Sequence, residues 1–395
     1  MDRKDFILEF ARKDQRGIEI GPYFNPIVAK SAGWNVLSLD VFDTEELRRR
    51  AAADPNIPSA MVANIEEVDL VGPAHRIAEL VAARGETGSF DFILSSHNFE
   101  HLPDPVSFLQ ACSEVLRPGG VLSMAIPDKR CCFDYYRPLT GLPAVLQAWA
   151  EKRARPTAEQ VFEHLNLHCR LQKGSEELIA FPLSDDPADI VACRTVEDAH
   201  GHWRSRLAEG ANNGPYMDAH CWTFVPSSFR LLFLDLRFLG YLPFEPLRFH
   251  DTWGGEFYVH LRNMRGSPTA PLSRNDYYEE RQRLLQAVSK ESCRNAIPLR
   301  EVQLSADAEK NAARLEKSLA EAEERSRAQE TALTTLRSHL AELEAERKSL
   351  RHERDIVLDS TFWRLTKPAR RLAAAMPRGL KHRMRRALRT GDHVQ

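Results

Sequence analysis

Residues 17–22 are Gly-Ile-Glu-Ile-Gly-Pro, a short apolar run that stops at a glycine. This pattern predicts a buried β-strand that ends at Gly21. Similar short runs recur along the chain, with longer helical patterns between them, as at 74–83 and 105–116. Strands that alternate with helices form a parallel sheet covered on both faces. We therefore predict an α/β fold built on such a sheet.

Residues 138–215 interrupt this alternation, because they are rich in proline, histidine and charge and have no clear strand pattern. We interpret them as an insertion that covers the site. Regular patterns return with a helix at 227–236 and a hairpin that turns at Gly254-Gly255. The predicted strands lie at 17–20, 36–40, 68–71, 90–95, 121–126, 242–249 and 256–261.

The net charge of −2 over 395 residues conceals an asymmetry. Residues 361–395 contain ten Lys/Arg and one acidic residue, a local charge of +9, which leaves −11 for residues 1–360. An acidic body argues against a broad nucleic-acid surface, and a basic end favours one specialised contact.

The seven cysteines have no disulfide-framework spacing, and no apolar run is long enough for a membrane span, so we expect a cytoplasmic protein.

Residues 315–357 carry a heptad pattern. Nine of the thirteen positions spaced by alternating steps of four and three are apolar, which is typical of a coiled coil. We therefore expect a homo-oligomer, and the alternative is a single solvated helix.

After the coil, five apolar residues recur at steps of three and four between Phe362 and Met376, among lysines and arginines. Such a tail suits an anionic membrane surface, and the alternatives are a solvated tail or an acidic partner.

Four segments share one pattern in register: residues 17–22, Leu-Asp at 39–40, Phe-Asp-Phe-Ile-Leu-Ser-Ser-His-Asn-Phe-Glu-His-Leu-Pro-Asp-Pro at 90–105, and Leu-Arg-Pro-Gly-Gly-Val-Leu at 116–122. Together they resemble class I methyltransferases, which use S-adenosylmethionine. Residues 127–134 and 218–224 look like a bacterial subgroup that accompanies surface-polysaccharide glycosyltransferases, and residues 360–366 resemble a tail found after coiled coils in such proteins.

The resemblance implies a Rossmann-like sheet and methyl transfer to a small or glycan-like acceptor in cell-surface polysaccharide biosynthesis. The second class of function is a catalytically inactive scaffold that oligomerises and tethers polysaccharide-synthesis enzymes at the membrane. The sequence patterns and the resemblance together predict six segments. They are a cofactor-binding core at 1–137, an inserted cover at 138–215, a final helix and hairpin at 216–265, a linker at 266–305, a coiled coil at 306–358 and a basic amphipathic tail at 359–395.

Ligands of an open parallel sheet bind beyond the carboxyl ends of its strands. An acidic residue about 20 positions after the first strand can accept hydrogen bonds from the ribose hydroxyls of a nucleoside. The resemblance implies that Glu19 orients the first loop, Gly21 lies against the methionine part of the cofactor, Asp40 binds the ribose, Asp69 faces the adenine, and Ser95, Ser96 and His97 line the cleft.

The first loop departs from the family pattern. The family usually has glycines two and four residues after the first glycine, whereas this chain has Tyr23 and Asn25. The departure favours the scaffold, and the retained Glu19, Gly21 and Asp40 favour the enzyme.

Methyl transfer from a sulfonium is an in-line displacement in which positioning supplies much of the rate, and an oxygen nucleophile gains from a nearby base. The candidate bases are His97, Asp128 and His220, and no spacing chooses between them. The alternatives are a capping or packing role for His97, a helix cap for Asp128 and a core position for His220. The histidines and cysteines between 164 and 202 lack a recognisable ligand spacing, so we predict no metal site.

Overall fold

The computed structural model describes residues 2–209, 216–267, 272–293 and 297–382, without the side chains of 209, 293, 297–323 and 328. The chain divides into two compact units, residues 1–300 and 301–395, which are described separately.

The centre of the first unit is a seven-stranded sheet. The strands of the unit are, in chain order, β1 (Arg16–Ile20), β2 (Asn35–Asp40), β3 (Leu70–Val71), β4 (Phe90–Ser96), β5 (Leu116–Pro127), β6 (Cys169–Lys173), β7 (Glu176–Leu178), β8 (Ile190–Ala192), β9 (Phe244–Phe249) and β10 (Glu256–Asn263). The central sheet has the order β3-β2-β1-β4-β5-β10-β9, and β7-β6-β8 form a separate small sheet. The first five strands of the central order run parallel, and β10 is antiparallel to both of its neighbours.

Helices cover the central sheet and link its strands. The α-helices of the unit are α1 (Arg3–Ile7), α2 (Thr44–Ala53), α3 (Ser59–Val62), α4 (Ile77–Ala82), α5 (Pro105–Val115), α6 (Leu142–Ala150), α7 (Ala158–Asn166), α8 (Val196–Glu209), α9 (Pro226–Phe238) and α10 (Arg274–Cys293). On β4, Ile93 is buried in one apolar cluster while Phe92 and Leu94 are buried in another, as expected for a sheet with both faces covered. The predicted α/β class is confirmed.

Close packing explains one of the glycines that mark the first strand. A Cβ at Gly17 would lie only 2.1 Å from the ring of Phe92 on the neighbouring strand.

The third strand is shorter than predicted, because only Leu70 and Val71 pair with β2. Residues 117–120 lie within β5, where they form an irregularity in its pairing with β4.

The insertion at 138–215 contains helices and short strands, although its sequence has no clear strand pattern. Helix α6 joins the main core through Val145 and Ala148, and α7 and α8 pack on each other. Residues 210–215 lie outside the described residues. The predicted linker at 266–305 is wrong over α10, which packs on α9 and stacks Tyr277 on Phe238 at 3.6 Å between ring centroids.

The second unit is helical. Helix α11 (Ile297–Asp359) extends into it and is followed by α12 (Thr361–Leu365) and α13 (Lys367–Ala375). The apolar heptad positions at 315–357 form the predicted coiled-coil seam. Where their side chains are described, these positions are exposed, with Leu336 66% exposed and Leu343 61% exposed. Within the described ranges, none of the helices combines the length and apolar character that a membrane span requires.

Candidate functional site

A cavity of about 440 Å³ lies at the carboxyl ends of β1 and β4. Four residues of the predicted cofactor site line it, namely Glu19, Gly21, Ser96 and His97. The rest of the wall is formed by the loop 22–25 and by Arg3, Ile20 and Ile27. The volume lies within the range of about 300–1,000 Å³ that is usual for small-molecule sites, and the position is the one that open α/β sheets use.

Glu19 holds the first loop from inside the fold. Its buried carboxylate accepts hydrogen bonds from the backbone N–H groups of Ile27 at 2.7 Å and Val28 at 3.1 Å. Burial raises the pKa of Glu19, and the two N–H donors act in the opposite direction. These contacts agree with the loop-orienting role that the resemblance implies.

The loop itself uses left-handed backbone at two positions. Gly21 has φ +62°, and a Cβ there would meet no atom within 4 Å, so the backbone angle, not space, requires glycine. Tyr23 stands where the family usually has glycine, yet its φ is +45°, a region that costs other residues roughly 1–2 kcal/mol. The rings of Tyr23 and Phe24 pack edge to face at 5.0 Å and help to hold this conformation.

The two predicted aspartates have different surroundings. Asp40 is buried at the end of β2, where its carboxylate accepts a long hydrogen bond of 3.5 Å from the N–H of Phe42. Burial raises the pKa of Asp40. Asp69 accepts from the N–H of Ser38 at 2.7 Å and pairs with the ammonium of Lys30. These contacts tie Asp69 to the edge of the sheet and do not support the predicted adenine role.

A charged network supports the β4 side of the cavity. Glu256 on β10 accepts two hydrogen bonds from Arg3 at 2.7 and 3.1 Å and one from the hydroxyl of Tyr258 at 2.6 Å. Arg3 also donates to the hydroxyl of Ser96 at 2.6 Å. Burial raises the pKa of Glu256, but the hydrogen bonds from His97 and Arg3 outweigh it and lower the value to about 2.

His97 joins this network at the cavity wall. Its Nε2 lies 2.6 Å from the carboxylate of Glu256, its φ is +48°, and its side chain is half exposed. The partial removal of water from the ring lowers the pKa of His97, but Glu256 and Glu100 outweigh this effect and raise it above its ordinary value. Ser95 is buried just before it, and its hydroxyl accepts from Asn98 at 3.1 Å.

Asp128 is placed as a structural residue. Its fully buried carboxylate accepts from the guanidinium of Arg130 at 2.5–3.2 Å, from the backbone N–H of Arg130 at 2.9 Å and from the hydroxyl of Thr252. The backbone contact caps the short 3₁₀ turn Lys129–Cys131. The arrangement supports the capping alternative, because both carboxylate oxygens are already engaged.

His220 is buried beside a second histidine. Its Nδ1 lies 2.5 Å from the carboxylate of Asp134, which also pairs with Arg137 at 2.8 Å. Burial raises the pKa of Asp134, but His220 and Arg137 outweigh it and hold that pKa well below its usual range. The rings of His220 and His101 are 4.6 Å apart, edge to face. His220 does not line the cavity described above.

Residues 27–124 match the model of a family described as a methyltransferase domain. The ubiquinone biosynthesis O-methyltransferase of Parvibaculum lavamentivorans is 40% identical over 74 residues, which are 19% of this chain and 28% of that relative. The enzyme of the same name from Cupriavidus pinatubonensis is 39% identical over 88 residues, which are 22% of this chain and 30% of the relative. The chain thus spans less than a third of the length of the curated relatives it matches.

Solved structures are similar over more of the chain. A SAM-dependent methyltransferase from Methanosarcina mazei is 15% identical, with 67% of this chain and 99% of that chain covered and a TM-score of 0.28. The family match itself begins just after the first loop, whose own contacts are those described above. Those contacts fit the cofactor: Glu19 fixes the loop, and Gly21 lets backbone approach a ligand in the cavity. The strand order is that of a Rossmann-like methyltransferase sheet, and the match of residues 27–124 to a methyltransferase domain implies S-adenosylmethionine as the cofactor.

Proposed function

We propose that this chain transfers the methyl group of S-adenosylmethionine to an oxygen of a small or glycan-like acceptor. The observation that carries the proposal is the cavity at the carboxyl ends of β1 and β4, with Gly21 and Ser96 in its wall. Two similar proteins are named O-methyltransferases, which supports oxygen as the acceptor atom.

The residues of the chain have separate tasks in this reaction. The bound cofactor supplies the electrophilic methyl group. Glu19 holds the loop that faces the cofactor, and the network of Arg3 and Glu256 fixes Ser96 and His97. Of the three predicted bases, His97 is the one in the cavity wall, so it remains our candidate for a direct contact with the acceptor.

We further propose that the acceptor belongs to cell-surface polysaccharide synthesis, and that the protein works as an oligomer at the inner face of the membrane. Support comes from the sequence resemblance at 127–134, 218–224 and 360–366, and from the exposed seam of α11. The second candidate is the inactive scaffold, which the substitutions Tyr23 and Asn25 in the first loop favour.

Calorimetry with S-adenosylmethionine separates the enzyme from the scaffold. The enzyme requires saturable binding at one site per chain, and label transfer from the methyl group to a lipid-linked glycan fraction then tests the acceptor class. A folded protein that binds no cofactor would reject the enzyme. Transfer to quinone-precursor phenols and not to glycans would reject the polysaccharide assignment.

The ribose role of Asp40 gives the first prediction. We expect Asp40→Ala to weaken cofactor binding by about 10- to 150-fold, because a charge-assisted hydrogen bond contributes about 1.5–3 kcal/mol. Calorimetric titration measures the change. Asp43→Ala is the control, since Asp43 lies nearby but caps α2 through the N–H of Glu46 at 2.9 Å. Equal affinities of wild type and Asp40→Ala would remove Asp40 from the site.

The seam of α11 gives the second prediction. Leu333, Leu336, Leu340 and Leu343 are each more than half exposed, and a coiled-coil partner would bury them. We expect full-length protein to be a dimer or trimer by light scattering, and a chain ending at Pro298 to be monomeric. Leu340→Glu should dissociate the oligomer, whereas Ala341→Glu, one position off the seam, should not. A monomeric full-length protein at micromolar concentration would contradict the coiled coil.

A further inference from the structure

Glu100 carries a buried carboxylate without a hydrogen-bond partner. The residue is fully buried, and neither Oε1 nor Oε2 accepts a hydrogen bond. The nearest imidazole nitrogens are Nδ1 of His97 at 3.7 Å and Nε2 of His101 at 3.9 Å from Oε1, both beyond hydrogen-bond length. Burying an unpaired charge is costly, so a buried carboxylate of this kind needs a compensating cation.

Two histidines present free nitrogens toward this carboxylate. Nδ1 of His101 is bonded to the carboxylate of Asp218 at 2.8 Å, and Nδ1 of His220 is bonded to that of Asp134 at 2.5 Å. Each ring therefore keeps Nε2 for another contact. One ligand atom from each of Glu100, His101 and His220 lies within 4.8 Å of the others. A carboxylate behind each imidazole is the usual support of a metal-bound histidine, because it fixes the ring and strengthens the ligand.

The backbone fixes this arrangement, although His220 is far from Glu100 in sequence. The N–H groups of Cys221 and Trp222 donate to the carbonyl oxygen of Glu100 at 2.7 and 3.3 Å. The indole of Trp222 donates to the carbonyl of Leu102 at 2.5 Å. These bonds hold the segment that carries His220 against the turn that carries Glu100, so the three side chains meet without a rearrangement of the fold.

We propose that Glu100, His101 and His220 bind a divalent transition-metal ion of the Zn²⁺ class. Two imidazoles and one carboxylate match the ligands that Zn²⁺ takes, and such ligands come to roughly 3.3 Å from one another around a tetrahedral ion. Three protein ligands leave one coordination position open, which is typical of catalytic and not of structural zinc.

The open position would lie next to the cofactor cavity, because His97 both lines that cavity and adjoins Glu100. Its use in catalysis rests on the proposed function. A hydroxyl oxygen of the acceptor that binds the ion becomes more acidic and loses its proton to solvent. The oxygen then forms a bond to the methyl carbon, and the bond from carbon to sulfur breaks with its electron pair on sulfur. His101 and His220 thereby acquire a role that base catalysis alone does not give them.

Another histidine cluster in the described residues serves as a control. Glu9, His250 and His260 also lie within ligand distance of one another. There the carboxylate of Glu9 is already bonded to Nε2 of His250 at 2.6 Å, so it is not an unpaired charge. We therefore expect Glu9→Gln to leave metal binding unchanged.

The test uses the full-length chain after treatment with a chelator. Titration with Co²⁺ is monitored by absorption spectroscopy, and titration with Zn²⁺ is monitored by calorimetry. We expect one ion per chain and a visible absorption spectrum typical of Co²⁺ with a low coordination number. Glu100→Gln, nearly isosteric, and His220→Ala should weaken binding by at least about 100-fold, and Asp218→Asn, at a more exposed position, by about tenfold. Far-ultraviolet circular dichroism checks that each variant is folded.

Three outcomes overturn the site: no bound ion, equal affinity in wild type and Glu100→Gln, or a loss in Glu9→Gln as large as in Glu100→Gln. Calorimetry with S-adenosylmethionine in the absence of metal is run in parallel. Zn²⁺ binding without cofactor binding would retain the metal site and reject the transferase, and the reverse result would reject the metal site alone.

Discussion

Replacing Glu19 by glutamine should weaken S-adenosylmethionine binding by at least about 100-fold while the protein stays folded. The carboxylate of Glu19 accepts from two consecutive backbone N–H groups, those of Ile27 and Val28. Glutamine has one acceptor oxygen, and its amide group would oppose one of the two N–H donors. Hydrogen bonds to a charged group contribute about 1.5–3 kcal/mol each, so losing one of them, and the charge that strengthens the other, would cost about 3–4 kcal/mol in the loop that faces the cofactor.

The chain offers a closely matched control for this substitution. Glu66 also accepts from two consecutive backbone N–H groups, those of Lys30 at 2.8 Å and Ser31 at 2.9 Å, but it does not line the cavity. We expect Glu66→Gln to lower the free energy of unfolding without changing cofactor affinity. Calorimetry measures the affinity, and urea titration measures the stability. A similar loss of affinity in both variants would mean that Glu19 acts through general stability.

The parallel part of the fold could be predicted from sequence because its strands are short apolar runs bounded by turn residues. Strands β1, β2 and β4 begin and end within one residue of their predicted positions. The small sheet of the insertion could not be predicted in this way. Its central strand, Cys169–Lys173, buries only Cys169 and Leu171, and its edge strands have three residues each. Such short polar strands form only when the tertiary fold brings them together.

Site residues that lie at the end of a predicted strand could be predicted from the sequence. Site residues that other parts of the chain contribute could not. Glu19 and Gly21 follow from the first strand, and Ser96 and His97 from the fourth. Arg3 and Glu256 were missed because they are 253 positions apart and meet only in the folded sheet. The free carboxylate of Glu100 was missed for a related reason: no sequence pattern records which buried groups remain unpaired.

Deleting residues 361–395 should release the protein from anionic vesicles almost completely. The tail begins where the hydroxyl of Ser360 caps α12 by accepting from the N–H of Trp363 at 3.2 Å. Phe362 is 75% exposed and Leu365 is 76% exposed, so both side chains can insert into a membrane surface. Arg370 lies over the ring of Trp363 at 3.3 Å, so the cations stay beside the apolar residues. Residues 383–395 of the tail lie outside the described residues.

The expected effect is large because the contributions accumulate. Each lysine or arginine near anionic headgroups contributes about 1 kcal/mol, and an oligomer would present several tails to one surface. We therefore expect full-length protein to sediment with vesicles that contain anionic lipid, and to be released by high salt because the attraction is screened. Phe362→Ser with Leu365→Ser keeps every charge and should still weaken binding, whereas an acidic soluble partner would require the charges alone. Deleting 310–358 but keeping the tail should reduce binding to that of a single tail. Equal sedimentation of full-length protein and the chain lacking 361–395 would place the membrane contact elsewhere.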